Sequence, residues 1–221
     1  MSLELRNVTH RYRRESAPVL RDLSFVFPAD RSIAVVGPSG SGKTTLLAVI
    51  GLLTRPTEGD VLIDSEVVKE REVADLRTRL FAWVFQTVNV LGARTVTDNA
   101  MLVLLARGVA QVEAREAARD ALVTVGLGAL ASRTASSLSG GELQRLCIAS
   151  ALASRPRFLL ADEPTGQLDR ATTDRVTQAL IEGRPRGTTL IVVTHDPHVA
   201  SQCDLTVALQ DGQLAIGGET T

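Results

Sequence analysis

The chain has no excess of basic residues: 24 Lys and Arg stand against 25 Asp and Glu, for a formal charge of −1 and a pI of about 6.3. Those cations are scattered rather than clustered, so there is no electrostatic footprint for gripping nucleic acid. Cysteine is scarce as well. Cys147 and Cys203 lie far apart in apolar surroundings without metal-ligand spacing, which fits small buried hydrophobes in a reducing compartment. No apolar run is long enough to span a bilayer. The run from Leu46 to Leu53 is interrupted by Gly51, and Met1 to Arg6 lacks the apolar core of a signal peptide. Work at a membrane therefore needs another polypeptide to supply the span. Apolar side chains are plentiful, at 44% of 221 residues, enough for a sizeable core in one large α/β domain or one domain with an inserted lobe. That share excludes a disordered or fibrous chain.

The densest information lies in Gly37-Pro38-Ser39-Gly40-Ser41-Gly42-Lys43-Thr44, a match to G-x-x-x-x-G-K-[ST]. Before it, Ser32 to Val36 has the continuous branched character of a buried parallel strand; after it, Thr45 to Ile50 reads as the first turns of a helix. Strand, loop and helix are the context a phosphate-binding P-loop requires. Gly37, Gly40 and Gly42 allow the backbone to wrap an anion so that consecutive N–H groups and the helix's positive end face it. Lys43 is placed for the β- and γ-phosphates and Thr44 for Mg²⁺.

In chain order, residues 2–8 and 19–27 alternate, with Leu3, Leu5, Leu23, Phe25 and Phe27 spaced by two, which predicts half-buried strands of an antiparallel sheet. Tyr12, the only tyrosine, sits between them among Arg11, Arg13 and Arg14, either as a strand-end aromatic or as a flat face for a purine. Asp60 to Asp64 returns as a strand, residues 69–79 read as a solvated helix, and Leu80 to Phe85 as a buried strand delivering Gln86 to the ligand-binding edge. From Thr95 to about Ser154 the pattern is helical and too long for a simple crossover, so it predicts an inserted lobe. Within it, Ser139 of Leu138-Ser139-Gly140-Gly141-Glu142 either caps a helix or joins the glycine N–H groups in a second anion site. Phe158 to Asp162 is a buried strand. The acids that end it, Asp162 and Glu163, either cap the turn at Pro164 or serve as Mg²⁺ ligand and water-polarising group. A helix from Ala171 to Ile181 follows the loop Gly166 to Asp169. His195 then ends the strand Thr189 to Val193, as a capped structural histidine or a γ-phosphate contact. A hairpin, Leu205 to Leu209 and Gln213 to Ile216, closes the sequence, and His10 and His198 receive no role.

The ordered set of P-loop, Gln86, Leu138 to Glu142, Asp162-Glu163, Asp169 and His195 resembles the ATP-binding subunits of ABC transporters over nearly the whole chain. The resemblance implies an α/β fold with a RecA-like P-loop NTPase core, an antiparallel β-subdomain and an α-helical subdomain, the core drawn from 1–87 and 155–221 and the lobe from 88–154. It implies an ATPase using ATP and Mg²⁺ and a homodimer or heterodimer with ATP sandwiched between protomers. Its permease partner would be an integral-membrane protein, which places the chain at the cytoplasmic face of the cell membrane. By residue, it implies nucleotide contacts from Gly37, Pro38, Ser39, Gly40, Ser41, Gly42, Lys43, Thr44 and Thr45, and adenine stacking on Tyr12. The signature Ser139, Gly140, Gly141 and Glu142 acts on ATP held by the facing subunit. Asp169 lies in the loop crossing the dimer, Thr44, Gln86 and Asp162 hold Mg²⁺, and Lys43, Gln86, Glu163 and His195 are catalytic. Phe85 to Asn89 and Leu138 to Arg145 resemble the lipoprotein-releasing, macrolide-export and antimicrobial-peptide-export branch. Two other roles use the same engine: a membrane signalling ATPase of the cell-division type, and a soluble ABC protein acting on DNA or ribosomes. Departures from the family pattern are Asp30 and Ser65 at usual glycine positions, and Gln167 where alanine or asparagine is common.

Overall fold

The computed structural model describes residues 1–13, 15–166 and 168–216; Arg14 and Gln167 lie outside the described residues. Two sheets organise it. The first is antiparallel, in the order β2-β1-β4-β5, from β1 (Leu3–His10), β2 (Leu20–Phe27), β4 (Glu58–Ile63) and β5 (Glu66–Val67). The second contains β3 (Ser32–Val36), β6 (Phe81–Val84), β7 (Phe158–Asp162), β8 (Thr189–Val193), β9 (Leu205–Gln210) and β10 (Gln213–Ile216). Its order is β10-β9-β3-β8-β7-β6, parallel throughout except for the β9–β10 hairpin. Because β3, β7 and β8 are interior strands covered on both faces, their sequences are unbroken apolar runs rather than alternations.

The even spacing expected in β1 and β2 is interrupted. Asn7 and Asp22 both adopt left-handed backbone, with φ of 50° and 48°, and the register slips around them. The Asn7 amide donates to Ser24 Oγ at 2.9 Å and its side chain to Asp22 Oδ1 at 3.0 Å, so the paired bulges satisfy one another. Leu23 and Phe27 remain inward while Phe25 is only half-buried. Asp30 and Ser65 also occupy left-handed backbone, φ 58° and 67°, where glycine costs least. Asp30 is compensated by accepting a 2.8 Å hydrogen bond from the Gly187 amide.

The helices are α1 (Lys43–Ile50), α2 (Val73–Leu80), α3 (Val96–Ala106), α4 (Gln111–Thr124), α5 (Gly140–Ala153), α6 (Arg170–Glu182) and the short α7 (Pro197–Ser201). α2 keeps only Leu80 buried, as its alternating charges require. The strand expected over Leu80 to Phe85 is shorter: Leu80 ends α2, pairing with β7 stops at Val84, and Phe85 is 43% exposed, its ring stacked on Trp83. Two large cores result. One lies between α1, the antiparallel sheet and one face of the parallel sheet, around Leu5, Phe27, Val35 and Leu46. The other joins α3, α4 and α5 to the opposite face, with Met101, Leu122 and Ile148 continuous with Leu159, Val192 and Val176. The helical lobe thus shares its apolar interior with the sheet. Among the described residues, no helix is long and apolar enough to cross a membrane.

Candidate functional site

The P-loop leaves the carboxyl end of β3 and enters α1. A Cβ on Gly37 would lie 2.2 Å from the Leu209 carbonyl oxygen, so glycine is required by close approach of β9. Gly42 is the N-cap at φ 102° and has no side chain to occupy the first amides of α1, which leaves them directed out of the helix end. Lys43 Nζ donates to the carbonyl oxygens of Gly37 and Pro38 at 2.9 and 3.0 Å, folding the cation over the loop. Ser39 and Gly40 are exposed at its tip, and Ser41 is buried beneath it. Thr44 is exposed, while Thr45 is buried and bonded to the Tyr12 hydroxyl at 2.8 Å. Tyr12 itself is 68% exposed.

Parallel pairing of β3 with β8 and of β8 with β7 brings three strand ends together. Asp162 ends β7 beside Thr44. Burial pushes its carboxyl above the usual range, an effect reinforced by Glu163 and opposed by the Thr44 hydroxyl and Lys43. Glu163 follows in left-handed backbone, φ 46°, a conformation that costs about 1–2 kcal/mol in a non-glycine residue. Its amide is held by the Val193 carbonyl at 2.9 Å, and its Oε2 lies 2.9 Å from His195 Nδ1. Glu163 is largely covered, whereas the His195 side chain is 68% exposed. The turn after Glu163 passes under Gln86: a Cβ on Gly166 would sit 3.5 Å from Gln86 Nε2. Gln144 of α5 donates to the neighbouring Phe85 carbonyl, tying the lobe to this edge.

A second group forms at the start of α5. The amide and hydroxyl of Ser139 both donate to Glu142 Oε2, each at 2.8 Å, so the capping box is closed by the carboxylate. That backbone contact, with the hydroxyl's, holds the Glu142 carboxyl below the usual range. Gly140 is exposed with open space around it; Gly141 meets Thr172 of α6, whose Cγ2 would lie 2.2 Å from an added Cβ. Thr172 in turn donates its hydroxyl and amide to the two carboxylate oxygens of Asp169, the N-cap of α6, at 2.7 and 3.1 Å. Thr172 is a site neighbour with little signal in the sequence, its only mark being its place three residues after a capping aspartate. Among the described residues no hydrogen bond joins this group to the P-loop or to the ends of β7 and β8.

The chain's residues 20–166 match the family model for ABC transporter. This protein belongs to the ABC transporter ATP-binding family. The cassette is 44% identical over 206 residues to the lipoprotein-releasing system ATP-binding protein LolD of Anaeromyxobacter dehalogenans, covering 91% of this chain and 86% of that one. It is 41% identical over 204 residues to the macrolide export ATP-binding/permease protein MacB of Rhodopirellula baltica, 90% of this chain and 30% of that longer protein. Among solved structures it superposes on the dimeric post-hydrolysis state of the ATP-binding cassette MJ0796 bound to ADP and Pi, with TM-score 0.84, 33% identity and 99% of both chains covered. The cassette is an ATP-binding ATPase of this family.

Proposed function

We propose that the cassette hydrolyses MgATP in a head-to-tail dimer and delivers the work to an integral-membrane permease that exports lipoprotein, peptide or drug-like substrates. The observation that carries this reading is the convergence of Lys43, Asp162, Glu163, His195 and Gln86 on one sheet edge, with Ser139, Gly140, Gly141 and Asp169 in a separate group. A dimer related by a two-fold axis would bring each such group onto the other protomer's phosphate site. LolD and MacB carry names of export systems, and MacB unites cassette and permease in one chain, which supports a membrane partner on the cytoplasmic face.

In this reading Lys43 and the α1 amides bind the β- and γ-phosphates, and Tyr12 offers its ring to the adenine. Asp162, a half-buried carboxylate destabilised by burial, together with the Thr44 hydroxyl beside it offers hard oxygen donors that suit Mg²⁺. Thr44, Asp162 and Gln86 would hold the ion, which when bound neutralises charge on the phosphate oxygens. Glu163 accepts the proton of the attacking water, and His195, aligned by Glu163, holds the γ-phosphate. Ser139 and the Gly140 and Gly141 amides of the facing protomer complete the anion cage. The test is Mg²⁺-dependent ATP hydrolysis by the purified cassette, with Lys43→Ala expected to abolish nearly all of it because the phosphoryl charge loses its principal cation. Undiminished turnover in that variant removes the P-loop from the mechanism. Purification from membranes with identification of the bound integral protein tests the partner.

A further inference from the structure

We propose that His10 and Thr45 are positioning residues that set the Tyr12 ring for the purine before nucleotide arrives. The inference rests on the reading of Tyr12 as the adenine platform and adds what holds that platform still.

Tyr12 lies on the connection between β1 and β2, in a segment closed by the Val19 amide donating to the His10 carbonyl at 2.9 Å. An aromatic ring 68% exposed on such a segment would sample several rotamers if unattached, and freezing one on ligand binding weakens affinity. Two contacts remove that freedom. The phenol oxygen is 2.8 Å from Thr45 Oγ1, and the imidazole of His10 stands at 88° to the ring with centroids 5.1 Å apart. Thr45 is buried on α1 two residues after Lys43, so the bond ties the purine face to the helix that carries the phosphate cation. His10 is tied to the exit of that helix: it is 6% exposed, and its Nδ1 is 3.1 Å from the Arg55 carbonyl. A carbonyl only accepts, so Nδ1 carries the proton. The other nitrogen, Nε2, is buried with no partner among the described residues, a cost of about 1–3 kcal/mol that an apolar side chain would avoid. His10 therefore serves this position by its flat ring against Tyr12 and its bond to Arg55. Thr45 thus links the adenine face directly to α1, and His10 links it to the loop between α1 and β4.

Tyr12 is the only tyrosine, so protein labelled with 3-fluorotyrosine gives a single ¹⁹F resonance that reports the ring directly. Tyr12→Phe and Thr45→Val cut the same bond from opposite ends. Each should raise the ATP Kd about three- to tenfold, the worth of one neutral hydrogen bond, and raise KM more than it lowers kcat. The double variant should bind no worse than the weaker single. His10→Phe keeps the ring and His10→Asn keeps a donor for Arg55, so Phe should recover ATP affinity that Asn loses. The nucleotide-free ¹⁹F resonance should move in Thr45→Val and His10→Asn. Additive losses in the Tyr12/Thr45 pair, equal affinities for the two His10 variants, or an unmoved resonance would overturn the positioning roles. Tyr12→Ala separates the two levels. Unaltered ATP binding in it sinks the platform itself, whereas weakened binding alongside normal positioning variants sinks only the present inference.

Discussion

Glu163 is held by three things at once: the end of β7, a left-handed backbone angle and the His195 imidazole. Backbone strain of this kind persists only where surrounding contacts over-determine it; it sets the direction in which the side chain leaves the backbone, and the His195 contact holds the carboxylate at its end. Glu163→Gln keeps shape and loses basicity, so it should retain ATP binding, lower turnover by about 10²–10⁴-fold, and trap a dimer in ATP that ADP does not support. Sizing and single-turnover hydrolysis measure both, and hydrolysis at the normal rate would assign water activation elsewhere. Asp162 makes a pH-dependent case. Burial raises its folded pKa above the unfolded value of about 3.9. Its contribution to stability is therefore fully present below that unfolded value and lost as pH rises through the folded one. At pH 7 the ionised carboxylate is a cost in metal-free protein. Asp162→Asn should then melt above wild type in EDTA at pH 7, with the gap closing toward pH 4, while its nucleotide binding loses the response to Mg²⁺. Equal melting at pH 7 would mean that Thr44 and Lys43 already offset the burial.

At the scale of elements, Thr172 is the contact between the N-terminal ends of α5 and α6, above the apolar packing of Ile148 and Val176. Thr172 presses its methyl on Gly141 and gives its hydroxyl to Asp169, so the start of the signature helix and the cap of the next helix move as a unit. Helix propensity alone favours Gly141→Ala by about 1 kcal/mol. With Thr172 Cγ2 2.2 Å from the new carbon the sign should reverse, because the helices must separate. We expect Gly141→Ala to lower the melting temperature and weaken ATP-dependent dimerisation. Adding Thr172→Ser, which removes the offending methyl and keeps the hydroxyl on Asp169, should restore both. Failure of the second change to rescue the first would place the defect in the Gly141 amide itself rather than in packing.

For the whole molecule, the question is where a partner sits. The segment after Gln86 carries three apolar side chains, Val88, Val90 and Leu91, of the kind a groove for a permease helix would use. The structure divides these residues: Val88 is half-buried, Val90 packs on the lobe's core, and Leu91 is 50% exposed. Both backbone groups of Leu91 are bonded to the Asn99 side chain, which displays the leucine on a fixed support. Leu91→Glu should accordingly leave the isolated cassette's ATPase rate and melting temperature near wild type while reducing capture of the permease from solubilised membranes. Val90→Glu should instead lower the melting temperature by several degrees, since a charge would enter a packed face. Normal permease capture by Leu91→Glu would move the docking surface elsewhere.

The P-loop, the buried strands and the helical lobe were legible in sequence because each is a local matter: glycines where backbone must approach an anion, branched apolar runs where both faces are covered, and helical periodicity where one face is. Asp162, Glu163 and His195 were legible because a polar residue ending such a run projects from the sheet's carboxyl edge. Sequence did not reveal the strand order that sets β8 between β3 and β7, since the pairing of Ser32 with Leu190, far apart in the chain, is fixed by non-local packing. The same holds for the bulges at Asn7 and Asp22, the exposure of Phe85, the bridge through Thr172 and the bonds that hold Tyr12. His10 received no role from its place in the chain because its meaning lies in the Tyr12 ring and the Arg55 carbonyl that the fold brings to it. Chemical capacity at each position was determined by the sequence; which of those groups meet was decided only by tertiary structure, through contacts that no local pattern encodes.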